Sequence, residues 1–422
     1  MKYINRLVDR EIQDKLETTG AIVIKGPKWC GKTTSAKQFT KSFLELQDPD
    51  LQENYLELAK TKPSLLLEGL KPRLIDEWQL APKLWNAVRY SIDKSSLVSQ
   101  FILTGSSTPT EDPTLHSGTG RFAIIKMKSM SLYESRESNG TISLSDILMG
   151  KKDIDGKVSN LTYEKLAYVL CRGGWPNSLK LDEKKALDVA KNYFDVLCES
   201  DVSRVDGVKR NPLLTKTILK SYARQIATID SNKALFDDIK ANYSDISERT
   251  IKDYLDVLKK LYIIEEVEAW NPNIRSKTAI RLAPKKTMVD PSLAVSALGS
   301  SPKDLMLDVK TFGVLFENLV NRDLSIYANS IGGYLRHYRD RFGLECDNVL
   351  HFDNGKYALI EVKLGGHRIK EAEENLHKLK RLIVENEPRL GHPEFLMVIT
   401  GTDLAYTTET GVLVVPLGCL KN

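Results

Sequence analysis

Length, composition and charge exclude several classes of protein for this chain of 422 residues. A single hydrophobic core rarely grows beyond about 250 to 300 residues, so the length predicts two or three domains. With 41% hydrophobic and 28% charged residues, the composition is that of a globular protein, and no apolar run approaches the ~18 to 20 residues of a membrane-spanning helix. The amino terminus lacks the apolar core of a signal peptide, which predicts a cytoplasmic protein with no membrane partner.

The cysteines and the net charge exclude few further classes of protein. The five cysteines are scattered and odd in number, which argues against a disulfide framework and against a cysteine-based metal site. A net charge of +5 is mild for this length, so it neither requires nor excludes a nucleic-acid partner.

The first motif along the chain is GPKWCGKT at residues 26–33, which fits the G-x-x-x-x-G-K-[ST] pattern of a phosphate-binding loop. An apolar strand precedes the motif and a helical segment follows it, which is the context such a loop requires. We expect Lys32 to reach the β- and γ-phosphates of a nucleotide and the Thr33 hydroxyl to ligate Mg²⁺. The alternative is a chance match within a glycine turn.

The next two apolar segments end in residues suited to nucleotide chemistry. In the segment PRLIDEWQ, we expect Asp76 to lie on the Mg²⁺ side of the nucleotide and Glu77 to polarise the attacking water. The alternative is that these two acids belong to a solvated turn. QFILTGSS ends in Thr104, Ser106 and Ser107, which are expected either to sense the γ-phosphate or merely to terminate a strand. The predicted ATP-binding residues are Gly26, Pro27, Lys28, Trp29, Cys30, Gly31, Lys32, Thr33, Thr34 and Thr104.

Five segments together carry a family resemblance: GPKWCGKT, LIDEWQ, FILTGSS, GTGRFAIIKMKSMSLYE and CRGGWP. In order and spacing, over nearly the whole chain, they resemble a widespread prokaryotic family of AAA-superfamily ATPases. That family carries a C-terminal domain of unknown function that resembles restriction endonucleases. The resemblance implies Lys32 and Thr33 as Walker A residues, Asp76 and Glu77 as Walker B residues, and Thr104 or Ser106 as the sensor.

The same resemblance implies that Arg121 is an arginine finger. Such an arginine often reaches the γ-phosphate of a neighbouring subunit, so this role predicts a homo-oligomer. The alternative is that Arg121 pairs with a surface carboxylate of its own chain, where ion pairs contribute little.

A polar, glycine-punctuated stretch at residues 140–160 predicts the end of the ATPase domain, which we place at residues 1–150. A helical region is expected at 151–275, and within it residues 234–270 resemble a winged helix-turn-helix. Acidic residues interleave with the lysines and arginine of its second helix, which favours a packing or partner-binding element over a DNA reader.

The C-terminal region, predicted as a domain at 276–422, contains a second candidate site. Glu361 and Lys363 are two residues apart in a predicted strand and therefore share one face. Asp347 lies on the preceding strand, and D-x₁₃-E-x-K resembles the PD-(D/E)XK nuclease core. We expect Asp347 and Glu361 to hold Mg²⁺ with help from Glu317, and Lys363 to position water or stabilise charge. The alternative is an ion-pair network inherited from a nuclease ancestor.

These observations predict an α/β chain with three parts: an AAA-type P-loop NTPase domain with a parallel sheet, a helical and winged-helix-like middle region, and a restriction-endonuclease-like C-terminal domain. Two functional readings stay open. In the first, ATP hydrolysis gates a nuclease that acts on nucleic acid, DNA in preference to RNA. In the second, the ATPase is a regulatory switch, and a degenerate nuclease-like domain binds a partner. A metabolic kinase or GTPase is disfavoured by Glu77 and by the absence of an N-K-x-D motif.

Overall fold

The computed structural model describes residues 3–106, 118–229, 232–273 and 282–422. These residues divide into two compact units. The first unit comprises Met1–Ser129, Ser200–Arg210 and Asp256–Ile263, and the second comprises Met130–Glu199, Asn211–Leu255 and Ile264–Asn422.

Helices are distributed along the whole chain. In the described residues they are α1 Val8–Thr18, α2 Lys32–Ala36, α3 Gln52–Thr61, α4 Lys83–Ser95, α5 Leu144–Leu148, α6 Tyr163–Arg172, α7 Glu183–Val196, α8 Val202–Arg204, α9 Pro212–Arg224, α10 Lys233–Lys240, α11 Glu248–Lys260, α12 Pro291–Leu298, α13 Pro302–Leu307, α14 Val309–Ser330 and α15 Ile369–Asn386. A single π-helical turn, Leu197–Asp201, separates α7 from α8. Within the described ranges, no helix has both the length and the apolar character needed to cross a membrane.

Strands form one larger sheet in each unit and two short pairs. In the described residues they are β1 Ala21–Lys25, β2 Ser42–Glu45, β3 Arg73–Asp76, β4 Phe101–Gly105, β5 Phe122–Lys126, β6 Ile142–Ser143, β7 Ile264–Val267, β8 Lys285–Met288, β9 Gly333–Arg339, β10 Glu345–Phe352, β11 Tyr357–Lys363, β12 Leu396–Thr400, β13 Tyr406–Thr407, β14 Leu413–Pro416 and β15 Leu420–Lys421.

The sheet of the first unit is entirely parallel, with strand order β2-β3-β4-β1-β5. Its central strands are apolar on both faces because both faces are covered, as expected for a parallel sheet. Along β1, Ala21 and Val23 pack into one buried cluster, whereas Ile22 and Ile24 pack into another. The predicted parallel-sheet domain is therefore confirmed.

Register brings the carboxyl ends of the central strands together. Asp76, the last residue of β3, lies opposite Thr104 of β4, and Thr104 lies opposite Ile24 of β1. The phosphate-binding loop leaves β1 one residue later, so the predicted nucleotide residues meet at one edge of the sheet. Ligands of open α/β sheets bind at this edge.

The sheet of the second unit is mixed, with strand order β13-β14-β12-β11-β10-β9. Strands β9, β10 and β11 run antiparallel to one another, and α15 then connects β11 to β12, which runs parallel to it. The helix α14 precedes this sheet in the chain and packs against β9, β10 and β11. The apolar side of α15 covers a core that includes Tyr357, Leu359 and Val398.

A β-bulge interrupts the pairing of β10 with β9. Cys346 lies opposite Tyr338, but Val349 lies opposite Arg336, so β10 carries one residue more than β9 over this stretch. The bulged residues are Asp347 and Asn348. Bulges re-aim side chains, and they are common beside functional sites.

The middle of the chain contains α9, α10 and α11, followed by the antiparallel pair β7 and β8. This order of three helices and a two-stranded ribbon agrees with the winged-helix expectation, which stays a prediction. The chain first passes from the first unit to the second after Ser129, whereas the predicted domain boundaries are at 150 and 275. Residue 275 lies outside the described residues.

An ion cluster with no exposed charge lies inside the second unit. The guanidinium of Arg322 on α14 contacts Asp290 at 3.0 Å and Asp323 at 2.8 Å. The two aspartates in turn accept hydrogen bonds from the backbone N–H groups of Gly174 and Leu132. Each charge is therefore compensated, which is the condition for burying ions without a large loss of stability.

Candidate functional site

The phosphate-binding loop has a backbone that demands small residues at two positions. Gly26 has φ +156°, and a Cβ there would lie 2.0 Å from the carbonyl oxygen of Met127. Gly31, at the start of α2, has φ +104°, which favours glycine. The loop follows buried β1 directly, so its position on the sheet is fixed.

Lys32 is folded back onto its own loop. Its ammonium donates to the carbonyl oxygens of Gly26 at 3.0 Å and Pro27 at 2.7 Å, and the residue is 4% exposed. A nearly buried ammonium whose hydrogen bonds go to neutral carbonyls retains a preference for a further anionic partner. The β- and γ-phosphates of a nucleotide would supply such a partner.

Three side chains converge beside this lysine. Thr33 Oγ1 donates to Asp76 Oδ1 at 2.8 Å, and Thr104 Oγ1 donates to the same oxygen. Burial raises the pKa of Asp76, and the hydrogen bonds from Thr104 and Thr33 partly offset that rise. A hydroxyl and a carboxylate side by side are oxygen donors of the kind Mg²⁺ takes beside phosphates and water. The residues therefore fit a Mg²⁺ ion.

Glu77 occupies a constrained position next to Asp76. Its φ is +53°, in the left-handed region, and its Oε2 accepts a hydrogen bond from Ser106 Oγ at 2.9 Å and another from the side chain of Gln79. These two donors hold the carboxylate in one orientation. A left-handed backbone at a non-glycine residue is frequent at functional sites.

Two further contacts tie the loop to distant parts of the first unit. Lys28 donates to Asp201 Oδ1 at 2.7 Å, and Asp201 is buried. Arg6, which precedes α1, donates to the carbonyl oxygens of Cys30 at 2.8 Å and Lys128 at 3.0 Å.

The remaining predicted residues of the loop differ in exposure. Cys30 is fully buried, with its thiol 3.7 Å from the carbonyl oxygen of Met127. Trp29 is 61% exposed at φ +62°, and Thr34 is exposed on α2. Ser107, one of the three residues at the end of the QFILTGSS segment, lies outside the described residues.

Arg121 is an exposed residue of the first unit. Its Nε donates to Asp93 Oδ1 at 2.7 Å and its Nη1 donates to the carbonyl oxygen of Thr119. This is the surface pairing that the sequence left open as the alternative. The role of Arg121 as an arginine finger stays a prediction.

In the second unit, Glu361 and Lys363 project from the same face of β11, as their spacing predicts. Lys363 Nζ donates to Glu361 Oε2 at 2.7 Å, and Asn375 Nδ2 of α15 donates to Glu361 Oε1 at 2.8 Å. Both carboxyl oxygens of Glu361 therefore have a donor.

Asp347, in the bulge of β10, is also well supplied with donors. Its Oδ2 accepts from the backbone N–H of Val362 at 2.8 Å and from Lys363 Nζ at 3.5 Å. Its Oδ1 lies 3.9 Å from Lys285 Nζ. The acid is thus placed between two lysines, one from β11 and one from β8.

Lys285 completes the cluster, and sequence reasoning missed it. Its Nζ donates to Glu317 Oε1 on α14 and to the carbonyl oxygen of Asp347, each at 2.7 Å. The residue is 2% exposed. The structure thus brings together all four predicted residues and adds a fifth, an ammonium between two of the acids.

The pKa values of the cluster follow from burial and these pairings. Burial raises the pKa of Glu317 to about 7 and that of Glu361 to about 8. Burial alone would raise the pKa of Asp347 too, but Lys285 and Lys363 outweigh it and the pKa falls below its ordinary value. The pKa of Lys285 is raised because Glu317 and Asp347 outweigh the effect of burial.

The acids of the second unit do not fit a metal ion in this arrangement. Over the described ranges, no three His, Cys, Asp or Glu side chains are grouped so as to hold one. Their oxygens face lysine ammonium, amide and backbone N–H groups, and the space between Glu317 and Asp347 contains Lys285. The metal-binding prediction for Glu317, Asp347 and Glu361 has no direct support from this geometry.

Comparison with protein families divides the chain into three segments. Residues 18–135 match the model of an AAA domain. The N-terminal segment is therefore similar to AAA domains. Residues 163–304 and 312–420 match two domains of unknown function, DUF8612 and DUF4143.

Relatives extend over most of the chain. An uncharacterized protein of Haemophilus influenzae is 24% identical over 400 residues, covering 86% of this chain and 92% of that protein. An uncharacterized protein of Mycobacterium tuberculosis is 24% identical over 355 residues, covering 82% of this chain and 71% of that protein.

Solved structures also show likeness. A Walker-type ATPase of Pyrococcus abyssi has a TM-score of 0.43 at 16% identity, over 70% of this chain and 96% of that one. RuvB of Thermotoga maritima has a TM-score of 0.27 at 18% identity, over 62% of this chain and 88% of that one.

Sequence reasoning missed several residues that contact the ATPase site. Gln79 donates to Glu77 from two residues further along the chain, and this short separation is the signal in the sequence that could have indicated the contact. Arg6 lies 24 residues and Asp201 lies 173 residues from its partner in the loop, and nothing in the local pattern around either residue marks such a contact.

Proposed function

We propose that the protein binds ATP with Mg²⁺ and hydrolyses it at the edge of the first unit's parallel sheet. The observation that carries this proposal is the convergence on Asp76 of two hydroxyls, from Thr33 and Thr104, beside the phosphate-binding loop. A hydrolase needs a cation site and a water-activating acid close together, and Glu77 is the next residue.

Each residue has a distinct role in this proposal. Lys32 neutralises charge on the β- and γ-phosphates, a role supported by its position on the loop carbonyls. Thr33 and Asp76 hold the cation, which supplies electrostatic stabilisation of the phosphoryl group. Glu77, oriented by Ser106 and Gln79, accepts a proton from the attacking water.

Nucleotide binding by a fluorescent ATP analogue tests the first step. We expect Lys32→Ala to abolish binding, because the only side-chain cation of the G-K-[ST] motif is removed. Lys37→Ala is a matched control, since Lys37 lies a few residues further on and pairs with Glu45 at a half-exposed position. Equal affinity in the wild type and Lys32→Ala would refute the assignment of the loop.

For the C-terminal region we propose a restriction-endonuclease-like domain that acts as the partner-binding end of an ATP-driven switch. Support comes from its order of elements, a helix, three antiparallel strands, a second helix and a parallel strand, with Asp347 and Glu361 on adjacent strands. The pairing of these acids with lysines disfavours a catalytic metal ion and therefore disfavours cleavage.

A second candidate is an ATP-gated nuclease, which the convergence of Asp347, Glu361 and Lys363 favours. Incubation with plasmid, linear and single-stranded DNA and with RNA, in Mg²⁺ or Mn²⁺ and with or without ATP, separates the two. The switch proposal predicts no cleavage in any mixture. Cleavage that Asp347→Ala abolishes would establish the nuclease instead.

A further inference from the structure

The position of Lys285 has a consequence for metal binding in the second unit. Lys285 is the first residue of β8, and it is contributed by a part of the chain that precedes the nuclease-like elements. Its ammonium lies against Glu317 and Asp347, two of the three acids that the nuclease resemblance assigns to the cation. This assignment of the acids depends on the nuclease-like fold proposed above.

Distances show that the ammonium and a metal ion exclude one another. The ammonium lies 2.7 Å from Glu317 Oε1 and 2.7 Å from the carbonyl oxygen of Asp347. A Mg²⁺ ion needs its oxygen ligands at about 2.0 to 2.1 Å and keeps several waters. A metal ion between the same oxygens would therefore be in contact with Lys285 Nζ. Two cations in contact within a buried site repel each other strongly.

Three of the other acid oxygens already accept hydrogen bonds. Asp347 Oδ2 already accepts from the Val362 N–H, and the two oxygens of Glu361 accept from Lys363 and Asn375. Each of these donors is held by a strand or by α15. A metal ion would have to displace several of them at once.

We infer that Lys285 is an internal counter-ion that closes the acidic cluster to divalent cations, and that removing its ammonium opens a metal site there. The cluster in the wild-type chain is then a neutralised, structural group. The same acids, freed of one buried positive charge, present Glu317 and Asp347 oxygens to a common space.

Titration with Mn²⁺ alone, followed by the electron paramagnetic resonance signal of the free ion, tests this inference on the full-length chain. All proteins carry Asp76→Asn, so that the ATPase site does not contribute. We expect no site at the cluster in the otherwise wild-type chain. Lys285→Met should gain one Mn²⁺ per chain, and adding Asp347→Ala to it should remove that site.

Lys356→Met is the matched control, because it removes one lysine charge at a surface position paired with Glu394 and should gain no site. A site in the otherwise wild-type chain that Asp347→Ala removes would overturn the inference. A folded Lys285→Met chain without a new site would overturn it too. If circular dichroism shows that Lys285→Met does not fold, Lys285→Gln takes its place. The titration of the chain with native Lys285 still tests whether the cluster binds Mn²⁺.

The failures of the two proposals are distinguishable. Mn²⁺ bound by the wild-type cluster without cleavage of any nucleic acid contradicts only the counter-ion role of Lys285. Metal-dependent cleavage that requires Asp347 contradicts the switch proposal as well. Absence of ATP hydrolysis in chains with native Asp76 contradicts the ATPase proposal and leaves the Mn²⁺ result untouched.

Discussion

Replacement of Glu77 by glutamine separates ATP binding from ATP hydrolysis. The amide is isosteric with the carboxylate, and its oxygen can still accept hydrogen bonds from Ser106 and Gln79, so the local geometry is kept. What is lost is the group that takes a proton from water. General-base catalysis contributes about 10²- to 10⁴-fold, so the barrier should rise by about 3 to 5 kcal/mol.

The assay is steady-state phosphate release together with binding of a fluorescent ATP analogue. We expect Glu77→Gln to lose at least a hundredfold in kcat while its affinity for the analogue stays within about threefold of the wild type. Glu53→Gln, at an exposed position on α3, controls for loss of one negative charge. Unchanged turnover in Glu77→Gln would refute the reasoning, because another group would then activate the water.

Three further outcomes follow from individual contacts. Asp201→Asn removes the anion that holds Lys28 at 2.7 Å, so the freed ammonium should lower the KM for ATP at low salt; an unchanged or raised KM would contradict this. Arg322→Met removes the guanidinium that contacts two buried aspartates and should cost about 3 to 5 kcal/mol in urea denaturation, whereas a loss below about 1 kcal/mol would argue against the cluster. Burial, and then the charge of Lys285, lowers the pKa of His337 to about 4, so stability should fall as pH drops from about 6.5 to 4; thermal melts of His337→Gln should show a shallower fall, and an identical slope would exclude His337 as the cause.

Much of the first unit can be predicted from sequence because its signals are local. The glycines of residues 26–33, the apolar run before them and the carboxylates after β3 all lie within short segments of fixed spacing. Thr104 is a good example, since a buried strand ending in a hydroxyl places it beside Asp76 once the strands are parallel. Local pattern and sheet geometry together suffice for this site.

Only part of the cluster in the second unit can be predicted from the sequence. The spacing of Glu361 and Lys363 predicts a shared face, and the structure places their side chains in contact. Lys285 lies in a short strand, 62 residues before Asp347 in the sequence. Nothing in the sequence around Lys285 distinguishes it from a surface lysine. Only the tertiary fold brings its ammonium to Glu317, so no periodic pattern marks it in advance.

Phosphate release from ATP, measured in Mg²⁺ and in EDTA for the wild type and for Asp76→Asn, tests the central claim most directly. We expect turnover in the wild type that EDTA abolishes, and loss of that turnover in Asp76→Asn, because the carboxylate shared by Thr33 and Thr104 would no longer hold the cation. Wild-type turnover that persists in EDTA, or full turnover in Asp76→Asn, would contradict it.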